Sequence, residues 1–392
     1  MPATTRSAVS RPVVAGVVTA LVGFTSSFAV VLTGLDAVGA TPGQAASGLL
    51  ALSLTMGLAC IVLSCRYRMP ITAAWSTPGA ALLVATGTVE GGWPAAVGAF
   101  LVVAALIVLT GLWSGLGTLI AHIPPAIAQA MLAGVLLPLC LAPVTGLVVN
   151  PWGVAPVLAV WLVFARLLPR WAVPLAFVTA AVVVVVGLSS SDAAVDPALL
   201  LPRLELTAPT LTVGAVIGLA LPLFIVTMAS QNLPGVAVMR SFEYRVPWRP
   251  SMLVTGIGTA IGAPAGGHAI NLAAISAALA AGPDAGEDRG RRWIAGVSTG
   301  VSYLLLGLAA SVFAALVVLA PAAVIPAVAG VALFGAFGGA AQQAMADADE
   351  RIPAVVTFLV AASGVALLGV SAAFWALVAG LLVRTVLRLG RR

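Results

Sequence analysis

Lysine is absent from this 392-residue chain, charged residues of any kind make up 8% of it, and it holds two histidines and three cysteines. Each shortage excludes something. A soluble surface needs roughly a quarter to a third of charged residues, so this few charges cannot cover a water-soluble domain of this size. Cys60, Cys65 and Cys140 lie in or beside apolar runs without metal-ligand spacing, and read as small hydrophobes rather than a redox pair or metal site. No cofactor is called for. An intramembrane protease or acyltransferase built on a lone histidine would need an acid or nucleophile in reach, and every one of the 12 acidic residues falls in a loop or at the end of an apolar run. The net charge of +6 is arginine alone. Its distribution, described next, is topogenic, which argues against a nucleic-acid partner.

What the chain has in abundance is apolar length. Hydrophobic residues make up 61% of it, in runs suited to crossing the roughly 30 Å hydrocarbon layer of a bilayer. The expected fold class is an all-α polytopic membrane protein with about 14 transmembrane segments. In the first half they run over 13–35, 44–65, 71–87, 94–117, 123–146, 152–168 and 171–188; in the second over 209–232, 251–263, 267–281, 293–319, 322–343, 353–369 and 371–389. With alternating sides, seventeen of the eighteen arginines fall on one face and only Arg203 on the other. By the positive-inside rule both termini are expected in the cytoplasm. Asp36, Glu90, Asp192, Asp196 and Glu205 then face outward, and His122 lies near the cytoplasmic surface. Arg289, Arg291 and Arg292 read as a solvated loop. That leaves His268 as the one Asp, Glu, His, Lys or Arg residue placed deep in the bilayer, where an ionisable group is a functional candidate.

Two stretches are interrupted by proline and glycine. ITAAWSTPGAALLVATG, from Ile71, starts extended and turns at Pro78-Gly79 into a short helix; APAGGHAINLAAISAALAAG, from Ala263, turns at Gly266-Gly267 and enters a similar one. Pro78 and Gly267 stand about half of the 392 residues apart, as two inverted seven-segment repeats would place them, with a half-helix in segments 3 and 10. Unwound backbone survives in a membrane only against protein or a wet cavity. Each half-helix would point its free N–H groups and the positive end of its dipole at that cavity, an arrangement suited to an anion. A third stretch, FIVTMASQNLPGVAVMRSF, puts Ser230, Gln231 and Asn232 together in an apolar span; Thr25, Ser26, Ser27 and Phe28 take the matching position in the first half.

TMASQNLPGVAVMRS together with GGHAINLAAISAALAAGPDA resembles the benzoate/proton symporter family of bacterial inner membranes (BenE), over essentially the whole chain. The resemblance implies a seven-plus-seven inverted-repeat fold shared with uracil and xanthine permeases and with sulfate and bicarbonate transporters. It implies a core domain (1–117 and 209–320) that moves against a gate domain (118–190 and 321–392), and, since relatives of this fold are often dimers, a homodimer. Carried onto this chain, the site would take Ser26, Ser27 and Phe28, then Trp75, Thr77 and Pro78, then Gln231 and Asn232, then Gly267, His268 and Asn271. Nucleobase permeases of the superfamily carry carboxylates on segments 8 and 10, where this chain offers Gln231 and His268; that difference points from a nucleobase to an anion.

Benzoate needs a slot for its ring and donors for its carboxylate. Phe28, Trp75 and Phe224 supply the expected slot; the half-helix amides, Gln231, Asn232, Asn271 and His268 the donors. Importing a bare anion against a negative interior costs about 2.3 kcal/mol per 100 mV, and one accompanying proton removes that cost. His268 is the proton-coupling candidate, gaining its proton as the anion arrives; the substrate carboxyl is the other carrier. Beside these stand plainer readings: His268 bonding a backbone carbonyl at the glycine turn, Asn271 bridging helices, Trp75 and Phe28 as core aromatics. A passive anion channel could use the same broken helices, and another small anion the same site.

Overall fold

The computed structural model of the protein describes residues 3–113, 115–116, 123–189, 200–274, 276–367 and 370–389. His122, Asp192, Asp196, Arg391 and Arg392 of the charge reading lie outside them. In the first half come α1 (Ala3–Thr25), α2 (Phe28–Ala37), α3 (Pro42–Tyr67), β1 (Ala73–Trp75), α4 (Thr77–Thr86), α5 (Gly92–Leu112), α6 (Pro125–Val149), α7 (Pro151–Leu167) and α8 (Ala172–Ser189). The second half contains α9 (Val213–Ser241), α10 (Trp248–Gly262), β2 (Ile270–Leu272), α11 (Ala277–Ala281), α12 (Trp293–Leu308), α13 (Ala310–Leu319), α14 (Val324–Met345), α15 (Arg351–Ala362) and α16 (Ala372–Leu389). Among the described residues eight helices are long and apolar enough to cross a membrane, or nine when α12 and α13, bent by 53°, count as one span. The shorter pieces complete fourteen segments in two halves of seven, each with a strand and a short helix as its third segment.

Local chemistry sets the ends. Thr41 and Gln44 close a capping box at the start of α3. Ser76 caps α4 by accepting from Gly79 N, with Pro78 in the first turn, and Asn150 caps α7 by accepting from Gly153 N at 3.0 Å.

Three breaks depart from the sequence reading. The first span, read as continuous, stops at Thr25 and restarts at Phe28, with Ser27 at φ −150°. The chain after Gly267 does not enter a helix at once: Gly266, at φ +93°, turns it, the extended strand β2 follows, and α11 is only five residues long. Within α9 the turns at Val216–Ala220 and Met228–Asn232 are widened to π geometry, a distortion frequent at functional sites.

β1 and β2 pair antiparallel, Ala73 with Leu272, Ala74 with Asn271 and Trp75 with Ile270, and the ladder extends through Ser76 N to Ala269 O and Ala273 N to Thr72 O. A two-stranded ribbon has two raw edges, costly where no water reaches. The surrounding helices cover them. Cys60 of α3 accepts from Ala73 N at 3.0 Å, Thr259 of α10 accepts from Ile270 N at 3.1 Å, and Asn232 of α9 accepts from Leu272 N at 2.9 Å. Cys60 is thus more than a small hydrophobe.

The helices pack in two groups. α3 lies on α12, α1 on α12 and α5 on α10; α6 packs against α14 and α15, and α15 against α16. Lipid gives no hydrophobic drive between spans, so close backbone approach through small residues carries much of this packing. A β-carbon at Gly57 of α3 would stand 2.8 Å from Gly300 O of α12, and one at Gly134 of α6 2.6 Å from Phe358 O of α15. Among the described residues two charged groups are buried. Glu350 takes Arg384 Nε at 2.7 and 2.9 Å and Arg388 Nη2 at 2.6 Å. Arg292, read from sequence as solvated, is buried and donates to Ala281 O at 2.7 Å and Gly286 O at 2.8 Å. It satisfies the last carbonyl of α11, which no following helical turn can reach, and that of Gly286 after the next turn.

Candidate functional site

A cavity of about 120 Å³ lies where the break between α1 and α2, the β1–α4 corner, the π turn of α9, the segment after β2, and α12 converge; Leu136 of α6 and Ala332, Leu333 and Ala336 of α14 close it from the other packing group. An apolar cavity of about 150 Å³ takes benzene in a soluble protein, so this one is on the scale of a single ring. The wall is mostly apolar and holds no formal charge: its polar members are Ser26, Ser27, Trp75, Thr77, Gln231, Ser276 and Tyr303.

Of the residues expected at the site, Ser26, Ser27, Trp75, Thr77, Pro78 and Gln231 meet at this cavity. Trp75 Nε1 donates to Ser27 Oγ at 2.8 Å, and Ser27 Oγ donates on to Gly23 O at 3.2 Å. Ser26 Oγ donates to the same carbonyl at 3.1 Å. The two hydroxyls therefore secure the carbonyl that the helix break exposes. At the start of α4 Pro78 carries no N–H and Gly79 N is held by Ser76; Thr77 and Pro78 of this first turn line the cavity, which therefore lies at the positive end of the α4 dipole.

The other expected residues stand back from it. Phe28 is fully buried in an aromatic cluster, its ring centroid 4.6 Å from that of Phe177 and 5.0 Å from that of Phe313. Phe224 lines a separate, wholly apolar pocket with Met131, Phe374 and Leu377. Asn232 is spent on Leu272 N and on Met228 Sδ at 3.2 Å. Gly267 lies in the turn before β2, its N–H donating to Gly262 O at 2.9 Å. Asn271 donates to Leu272 O at 2.8 Å, and its Oδ1 is buried without a partner. His268 is fully buried, with Nε2 3.1 Å from Ser76 O. Ser76 O accepts, so Nε2 carries the hydrogen; Nδ1 has no partner. His268 thus reaches the site through the residue that caps α4. The periodic pattern of α9 and β2 marks their polar residues but not which way each faces, because π turns and strand pairing reset that direction.

A family model for the benzoate membrane transport protein (BenE) matches residues 7–386. The chain belongs to this family. It is 38% identical over 376 residues to the inner membrane protein YdcO of Escherichia coli, covering 96% of this chain and 95% of that one. It is 31% identical over 340 residues to the benzoate membrane transport protein of Acinetobacter baylyi, covering 86% and 85%. Among solved structures it is similar to the transmembrane domain of a cyanobacterial bicarbonate transporter, BicA, with TM-score 0.59 at 15% identity over 97% of both chains, and to SLC26A9, with TM-score 0.64 at 13% identity over 96% of this chain and 65% of that one. This BenE-family chain therefore shares the fold of those proteins, and it is a multi-pass inner-membrane transporter of small solutes, not an enzyme.

Two parts of this BenE-family site were missed from sequence. Tyr303 lies outside every quoted stretch and Ser276, though within GGHAINLAAISAALAAGPDA, is not singled out there; packing brings both to the cavity. A vestibule of about 340 Å³ is the second, lined by Ser10, Arg11, Val14, Val18, Arg170, Leu279 and Asp284. Leu279 belongs to both spaces, and Ser10, Val14, Val18 and Val22, four residues apart, form one stripe of α1 that Ser26 continues in the break, so that it runs along both. At its mouth Arg170 of the α7–α8 turn pairs with Asp284 at 2.7 Å, joining the two packing groups.

Proposed function

We propose that the chain imports benzoate, or a similar aromatic carboxylate, together with a proton, by displacement of a core (1–117 and 209–320) against a gate (118–190 and 321–392), with both termini in the cytoplasm. The observation that carries this reading is an uncharged, ring-sized cavity at the junction of the two packing groups, bordered by the first turn of α4 and by the Thr77 and Gln231 side chains. An apolar wall suits the ring, and a helix N-terminus with neutral donors suits a carboxylate. Membership of the benzoate membrane transport protein family agrees with it. Because the cavity takes walls from both groups, moving one past the other opens it.

The proton has one imidazole to ride on in this region. His268 holds Ser76 O while Ser76 Oγ caps α4, so a change of charge at the ring alters the field at the anion site through one residue. A second reading has the proton on the substrate carboxyl itself. It is favoured by the unpartnered His268 Nδ1, which offers an added proton no acceptor. The test is uptake of radiolabelled benzoate into proteoliposomes under an inward proton gradient. Saturable accumulation that a protonophore abolishes is expected; uptake that never exceeds equilibrium describes a channel and refutes symport. His268→Gln decides the carrier: loss of accumulation with retained exchange assigns it to His268, and retained accumulation assigns it to the substrate.

A further inference from the structure

We infer that the Tyr303 hydroxyl is the donor that selects a carboxylate in this cavity; the inference rests on the proposed benzoate site and names the group that reads the anion. The argument starts from which donors are already committed. Trp75 N–H goes to Ser27, and the Ser26 and Ser27 hydroxyls go to Gly23 O, so none of the three is free for a ligand without breaking a bond that holds the α1 break. Four polar side chains remain on the wall: Thr77, Gln231, Ser276 and Tyr303.

Tyr303 stands out among them chemically. It is 1% exposed and is among the largest fully buried side chains in the protein, and on the cavity wall its hydroxyl has Ser276 as a hydrogen-bonding neighbour. A β-carbon at Gly23 would stand 2.6 Å from the Tyr303 oxygen and 3.8 Å from Ser276 Oγ. The hydroxyl therefore occupies the space that the glycine leaves open, at the place where α1 breaks. A buried phenol ordinarily donates its hydrogen to a partner, and with Ser276 donating to its oxygen the Tyr303 O–H is the half left for a ligand. Phenol is also the most acidic of the four donors, and a hydrogen bond to an ionised acceptor is about twice as strong as a neutral one. Trp75, Leu136 and Leu333 on the same wall suit the ring of a benzoate, and Tyr303 and Ser276 then join Thr77 and Gln231 as the donors within one cavity for its carboxylate.

The experiment measures binding of radiolabelled benzoate to the purified protein in detergent, with unlabelled benzoate and its neutral isostere benzamide as competitors. Tyr303→Phe removes one oxygen and keeps the ring. It is expected to weaken benzoate by roughly 10- to 100-fold, the scale of a lost charged hydrogen bond, and benzamide by less than about threefold. Equal weakening of both would make Tyr303 a packing residue and overturn the inference, as would no weakening. If Tyr303→Phe does not yield monodisperse protein, Ser276→Ala must weaken benzoate selectively, by roughly 3- to 10-fold; an unchanged benzoate-to-benzamide ratio overturns the inference equally. Absence of saturable benzoate binding by the wild type refutes the proposed function and the inference together. Wild-type binding with an unselective Tyr303→Phe refutes the inference alone.

Discussion

Removing the His268 ring should loosen the paired strands, and the size of the effect can be worked out. The imidazole is fully buried, donates from Nε2 to Ser76 O at 3.1 Å, and lies edge-on to Phe100 with ring centroids 6.4 Å apart. Ser76 O also accepts from Ala80 N at 2.8 Å, so His268→Ala leaves it with one partner, and the loss is a single hydrogen bond of about 0.5–1.5 kcal/mol. The vacated space costs more. Aromatic-to-alanine truncations in cores cost about 3–5 kcal/mol, and the smaller imidazole ring roughly 2–4. The sum is roughly 3–5 kcal/mol. His268→Gln keeps an N–H near the position of Nε2 and most of the volume, so about 1–2 kcal/mol is expected. Thermal unfolding in detergent, followed by the fraction eluting as monodisperse protein after heating, should place His268→Ala at least about 5 °C below wild type and His268→Gln within about 3 °C. If both variants melt with the wild type, the ring does not hold the strands and the structural account of His268 is wrong. The comparison also shows why the glutamine variant is the fair probe of proton coupling: the alanine variant changes the scaffold as well as the charge.

Three further outcomes follow from the packing. Glu350→Gln leaves Arg384 and Arg388 facing a neutral amide at a buried site and should cost about 3 kcal/mol, the low end for a broken buried pair because Arg388 reaches water; an unchanged melting temperature would contradict this. Gly300→Ala sets a β-carbon 2.5 Å from Gly57 O, whereas one at Gly338 meets nothing within 4 Å, so the first should sharply reduce folded yield and the second leave it intact, as measured by fluorescence-detected gel filtration. The Arg170–Asp284 pair is about half exposed, so a double-mutant cycle on uptake rates should give a coupling of about 0.2–1 kcal/mol, at most about fivefold in rate. Strictly additive single variants would show that the pair does not bridge moving parts.

Much of the protein is legible in the chain because a bilayer imposes simple rules. Hydrophobic length specifies spans, and proline and glycine in an apolar run specify a break, since only there can backbone leave the helix. Ile71–Gly87 and Ala263–Gly282 announce the two re-entrant segments in this way, and TMASQN marks the distorted helix α9. The motif stretches point to the family, to which the whole-chain match assigns the protein. What composition and spacing could not supply was direction. Asn232, His268 and Asn271 are polar residues in the stretches that carry the family resemblance, yet their side chains serve the strand ribbon and the cap of α4, because an unpaired strand edge in a dry interior must take the nearest donor or acceptor. Tyr303 has no sequence signal, and its hydroxyl finds room only because Gly23 lacks a β-carbon at the break in α1; Ser276 sits in a quoted motif, but only packing shows that it lines the cavity. Span length and chain breaks are local properties of a residue run in lipid, and the sequence by itself determines them. Which polar groups are consumed in holding the backbone and which are left for a ligand is a property of three-dimensional neighbours, and only the tertiary structure decides it.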